Sequence, residues 1–109
     1  MFIPHAAPCS EVMKFAGGHM PQQATDKKCV NEGAWLGRTY SAEFTMPREN
    51  VVARLEEAFP GAGQGDCGPI CLVRYEEERR RTGQASVLEL DVRYEGQDSA
   101  RVKLKAYNT

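Results

Sequence analysis

What the chain lacks narrows its chemistry first. No apolar run reaches the roughly 18–20 residues that a membrane-spanning helix needs, which leaves a helical span without a candidate. The opening MFIPHAAPC is interrupted by Pro4, His5 and Pro8, where the core of a secretory signal would be continuous and apolar. A surplus of one charge is missing as well. Fourteen basic and 15 acidic residues leave a net charge of -1, so the basic excess typical of nucleic-acid binders is absent and nucleic acid is not an expected partner. Histidine is scarce, with His5 and His19 alone, and neither G-x-S-x-G nor H-E-x-x-H occurs. The commoner hydrolase chemistries therefore have no signal here, and the chain is not expected to be an enzyme.

Composition places what remains. With 41% hydrophobic and 27% charged residues, the 109-residue chain reads as globular. Its length suits one domain with one modest core, so residues 1–109 are expected to form a single disulfide-stapled unit. Four cysteines, Cys9, Cys29, Cys67 and Cys71, allow three pairings, and their spacing suggests two local ones. Loop-closure entropy gives the first bridge about 3 kcal/mol and the second about 2 kcal/mol. Such bridges persist only in an oxidising compartment. The expectation is a periplasmic or secreted protein whose chain lacks its signal segment.

Periodicity supplies the elements. Residues 10–16 read as a short helix, with Ser10 as cap, Val12, Met13, Phe15 and Ala16 apolar, and Gly17-Gly18 as the stop. From His19 to Ala34 there is no period, so this stretch reads as a loop anchored by Cys29 bridged to Cys9. Between 35 and 46, Leu36, Tyr40, Ala42, Phe44 and Met46 share one parity, the mark of a half-buried strand. A helix follows from Pro47, with Val51, Val52, Leu55, Ala58 and Phe59 on one stripe and Pro60-Gly61 as the stop. After a glycine-rich loop at 61–69, strands are predicted at 70–78, 85–95 and 100–107.

Matching apolar faces of the last two strands sets Leu90 opposite Ala106 and Val92 opposite Leu104, with Gln97, Asp98 and Ser99 as the loop. This also pairs Glu95 with Arg101 and Asp91 with Lys105. For the preceding hairpin, Val73 is set against Leu90 and Tyr75 against Leu88, which turns Cys71, Val73 and Tyr75 inward and Ile70 and Leu72 outward. The fold expected is α+β: a four-stranded antiparallel sheet with one helix packed on one face and a short N-terminal helix, in the order α-β-α-β-β-β.

Several motifs compete for a role. CGPIC resembles the thioredoxin-type CGPC with one residue inserted, over five residues only. A reactive dithiol of that type sits where a strand ends and a helix begins, so that the helix end lowers the thiol pKa. Here a helix precedes and a strand follows, so the reading is a structural staple closed by a turn at Gly68-Pro69. Two residues four apart in an extended strand would stand about 13 Å from each other, too far to bridge. Gly63 to Gly68 fits G-x-G-x-x-G but has the wrong flanking order for a dinucleotide site. The cysteines and histidines form no second knuckle for zinc, so no metal or other cofactor is expected.

The functional expectation is a protein-binding domain of the bacterial envelope or the outside. Its most concrete form is an inhibitor or immunity protein that blocks a toxin or hydrolase with stapled and charged loops. Asp66, Pro69, Arg79, Arg80 and Arg81 are the candidate contacts. Two alternatives stand beside it: a secreted toxin or effector enzyme using His5 or His19, and a structural or assembly module of an envelope complex.

Overall fold

The computed structural model describes residues 4–33, 38–75 and 84–108. Among these residues the chain forms β1 (His5–Ala6), α1 (Cys9–Ala16), β2 (Thr25–Gly33), β3 (Thr39–Pro47), α2 (Val51–Ala58), β4 (Gly63–Gln64), β5 (Cys71–Tyr75), β6 (Val87–Glu95) and β7 (Ser99–Tyr107). The strands make one antiparallel seven-stranded sheet in the order β1-β2-β3-β7-β6-β5-β4. The expected four-stranded sheet with one helix on its face is thus overturned in favour of a mostly-β fold with two short helices.

The added strands have an identifiable reason for escaping notice. In β2, Thr25 opposes Thr45 but Lys28 opposes Glu43, and Asn31 opposes Tyr40 but Gly33 opposes Thr39. Each interval carries one extra residue on β2, and Asp26 takes φ 50 within the first. Each such bulge reverses the side-chain parity, so two of them erase any period of two. Of the nine residues in β2 only Cys29 and Gly33 are buried. β1 and β4 are two residues each and have no period to read.

β3 alternates as its sequence does, with Tyr40, Ala42, Phe44 and Met46 buried. Leu36 and the other residues of 34–37 lie outside the described residues. Pro47, read as the first turn of a helix, instead ends β3 opposite Ser99, and α2 begins four residues later behind Asn50 at φ 57. The apolar stripe of α2 is otherwise as read: Val51, Leu55, Ala58 and the following Phe59 are buried, with Val52 half-buried. In α1 the cap is Pro8 with no side-chain bond, so Ser10 lies inside the helix. Gly17 closes it at φ 76, and the Gly17 and Gly18 amides return to the Lys14 and Met13 carbonyls.

The buried side chains of both helices join the inward row of the sheet in one apolar cluster. Phe44, Leu55, Leu72, Leu88 and Leu90 are each fully buried, and each contributes about 1.5–3 kcal/mol by leaving water. The Tyr40 hydroxyl donates to Glu11 at 2.6 Å and ties α1 to β3.

Two registers differ from expectation. In the β6–β7 hairpin, Leu90 faces Leu104, Val92 faces Val102 and Glu95 faces Ser99, so the loop is residues 96–98. The shift is two residues, which preserves the faces but replaces the pairing of Glu95 with Arg101 by Arg93 against Arg101. In β5–β6 the slip is one residue: Leu72 faces Leu90 and Arg74 faces Leu88. That turns Leu72 and Arg74 inward and leaves Tyr75 68% exposed. Residues 76–78 of the strand predicted there lie outside the described residues.

The slip brings Arg74 to the inner face along with Leu72. Arg74 is only 5% exposed, yet its guanidinium reaches the sheet's inner face and donates to the Ala16 carbonyl, to Pro60 O at 3.3 Å and to Gly17 O at 3.4 Å. These acceptors lie at the C-terminal ends of α1 and α2, where carbonyls lack helical partners and the helix dipole favours a cation. A Cβ on Gly17 would stand 2.8 Å from Arg74 Nη2, so this position needs glycine for space as well as for its positive φ.

Candidate functional site

The loop between β4 and β5 is exposed and covalently held. Cys67 and Cys71 are bridged with their Cα atoms 5.6 Å apart, and a second bridge joins Cys9 to Cys29 at 5.2 Å. The chain bends through residues 66–70 to bring the first pair together, where an extended strand would hold them about 13 Å apart. Asp66, Cys67, Gly68 and Pro69 are exposed while Cys71 is buried. Both flanks are pinned: the Gly65 amide donates to Cys71 O and the Val92 amide to Ile70 O, each at 2.9 Å. A Cβ on Gly68 would come within 2.8 Å of Asp91 Oδ1, so a larger residue here would push the Asp91 carboxylate aside.

The staple also sets where β5 begins, and this opens a gap in the sheet. β5 pairs with β6 only as far as Cys71 opposite Asp91, while β6 runs on to Glu95. Among the described residues no strand covers the β5 side of Arg93, Tyr94 and Glu95. The space left is a notch of about 410 Å³, with Gly68, Pro69 and Ile70 on one side and Asp91, Arg93 and Tyr94 on the other. Tyr94 is 41% exposed, and Arg48 stacks over its ring at 4.0 Å while bonding Gly96 O at 3.0 Å. The notch thus offers an unpaired stretch of backbone, a held aromatic ring, an anion and a cation.

Of the contacts nominated from sequence, Asp66 and Pro69 share this loop; Arg79, Arg80 and Arg81 lie outside the described residues. His5 sits exposed on β1, opposite Asn31 at one rim of the sheet. His19 is exposed just after α1, its amide bonded to Ala58 O at 3.0 Å. A depression of about 530 Å³ beside His19 is lined by Cys9, Met13, Lys14 and Met20 among others, and His5 does not contribute to it. Among the described residues no group of three His, Cys, Asp or Glu side chains is placed to hold a metal. The strand β5, not a helix, follows Cys71, so neither CGPIC nor the Gly63–Gly68 pattern meets a helix N-terminus. Among the described residues no helix is long and apolar enough to cross a membrane.

Opposite the helices, the outer face of the sheet is charged. Arg101 Nε bonds Glu43 at 2.9 Å, and this bond, followed by the nearby Lys103 and Lys28 charges, holds the Glu43 carboxyl below its ordinary value. Tyr107 at the other end of β7 is pushed up, by burial first and then by the Glu89 carboxylate.

Sequence reasoning missed the notch and its residues Asp91, Arg93 and Tyr94. The signal was present: a bridge from Cys67 to Cys71 forces a bend at Gly68-Pro69, so β5 cannot extend far enough back to cover the end of β6. The buried Arg74 carried no comparable signal, because a charged residue within an alternating run reads as outward. No protein-family model, curated protein or solved structure matches the chain.

Proposed function

We propose that this chain is a small protein-binding domain of the bacterial envelope or the extracellular space, most concretely an inhibitor or immunity protein that blocks a toxin or a hydrolase. The observation that carries the reading is the stapled loop: Asp66 and Pro69 are exposed on a segment held by a covalent bridge and two backbone hydrogen bonds, beside an open notch. A loop already ordered before binding loses little conformational freedom on complex formation, so more of its contact energy appears as affinity. The notch supplies what a protruding partner segment needs: backbone groups at a sheet edge and an aromatic ring with a cation on it. The compatibility of both bridges with an oxidising compartment supports a periplasmic or secreted site of action.

The test is capture from the native organism on the immobilised protein, followed by assay of the captured activity. A stoichiometric toxin or hydrolase, inhibited by the wild type, is expected. Asp66→Lys and Pro69→Gly should each weaken inhibition by about tenfold, the scale of one good interface contact. Capture of envelope-complex components alone would instead favour the assembly reading. Inhibition unchanged in both variants would remove the loop from the contact.

A further inference from the structure

The outer face of the sheet carries a charge order that is its own complement. Reading across the strands at one level, β2, β3, β7 and β6 present Lys28, Glu43, Lys103 and Asp91, set side by side by the pairings Lys28–Glu43, Glu43–Lys103 and Lys103–Asp91. The signs run plus, minus, plus, minus. Turned by 180° about a line parallel to the strands and midway between β3 and β7, this row sets Lys28 over Asp91 and Glu43 over Lys103. A line perpendicular to the strands would instead set every charge over itself. The adjacent levels tolerate the same operation. One carries Val30, Ser41, Lys105 and Glu89, and the other Thr25, Thr45, Arg101 and Arg93. In neither does like charge meet like.

We infer that this face docks a second copy of the chain through a two-fold axis parallel to the strands, with Lys28 of each copy against Asp91 of the other. The charges are available for it. On this face Arg101–Glu43 is the ion pair that closes, and Lys28, Lys103 and Asp91 make none among the described residues. The centre of the face is a groove of about 540 Å³ lined by Lys28, Ser41, Glu43, Lys103 and Lys105, so two copies enclose a wet, polar interface. Four strands about 4.8 Å apart and five residues along each give a patch near 20 by 20 Å. That is smaller than the ~800 Å² per partner of a standard interface, so the association is weak and governed by charge. It does not rest on the inhibitor reading, although Asp91 also lines the notch beside the stapled loop, so a partner seated there would compete with the second copy for this side chain.

The test uses the unmodified protein first. Sedimentation at about 0.5 mM protein should show dimer in ~20 mM salt and monomer in ~500 mM, where the screening length falls to a few ångströms. Zero-length carbodiimide coupling should then join Lys28 to Asp91 under the low-salt condition only. Within one copy these residues lie three strands apart, about 14 Å, so this link reports a second copy. Lys28→Glu and Asp91→Lys should each abolish the dimer while keeping the wild-type circular dichroism spectrum, and the two together should restore it. The like-charge pairs they create beside Glu43 and Lys103 should lower the unfolding midpoint only slightly. A monomer at every salt concentration overturns the inference. So does a dimer that ignores both single changes or yields cross-links without Lys28–Asp91.

Discussion

Removing the Arg74 guanidinium should be the most damaging single change outside the apolar core. The side chain satisfies carbonyls of Ala16, Gly17 and Pro60 while only 5% exposed. A hydrogen bond to a charged group contributes about 1.5–3 kcal/mol, and a buried acceptor left without one costs about 1–3 kcal/mol. Removal also relieves the desolvation of a buried cation, so these contributions do not add in full. The net expectation for Arg74→Met, which keeps most of the aliphatic volume, is a loss of about 3–4 kcal/mol. Against a whole stability of about 5–15 kcal/mol, that is a large fraction. Urea unfolding followed by circular dichroism is the assay. With a slope near 1.5 kcal/mol/M, the midpoint should fall by roughly 2 M. Arg74→Lys keeps the charge but cannot spread donors over three carbonyls, and should fall between the two. A midpoint for Arg74→Met within ~0.5 M of wild type would refute the reasoning, since that corresponds to less than about 1 kcal/mol.

Three further outcomes follow from the bridges and from the titrating groups. Replacing Cys9 and Cys29 together by Ser should cost about 3 kcal/mol and replacing Cys67 and Cys71 about 2 kcal/mol, the longer loop costing more; urea midpoints that rank in the opposite order would contradict the entropic account. Glu43, whose pKa is depressed in the folded state chiefly by its bond to Arg101, stabilises the fold above its unfolded value and loses that contribution as pH falls through the folded value. Unfolding curves of Glu43→Gln and wild type should therefore converge below about pH 4 and separate towards neutrality. Tyr40 has the opposite sign. Its pKa is raised, mainly by the hydrogen bond to Glu11, so its contribution is complete below about pH 10 and disappears as pH climbs through the folded value. Tyr40→Phe should remove that alkaline loss.

How much was legible depends on whether parity survived. The run from Tyr40 to Met46 alternates without a bulge, and both its strand and its inward face follow from the residues. The stripe of α2 is equally clear, though Pro47 fits the last position of a strand as well as a first helical turn, and sequence does not separate the two. In β2 the alternation is broken twice and the strand is polar, so nothing distinguishes it from a loop until Cys29 is seen against Ala42. For β6 and β7 the apolar faces fix the register only to within two residues, because a shift of two keeps every side chain on its side. The notch required one more step, from a four-residue bridge to the length of strand it permits. The self-complementary charge row was beyond reading altogether, since it exists only once four strands are ordered in space.

The two covalent bonds have a shared geography. Cys29 lies in β2, next to the strand His5–Ala6, whose follower Ala7 donates its amide to Cys29 O at 3.0 Å. Cys71 opens β5, next to Gly63–Gln64. Among the described residues the sheet therefore ends on both sides in a two-residue strand, and each is tethered within a few residues of a disulfide. A sheet can lengthen only at its rims, by accepting a further strand from another molecule. A short, covalently held strand at each rim blunts that edge against open-ended growth, which leaves the β5 side of Arg93, Tyr94 and Glu95 as the stretch where a further strand has room to add.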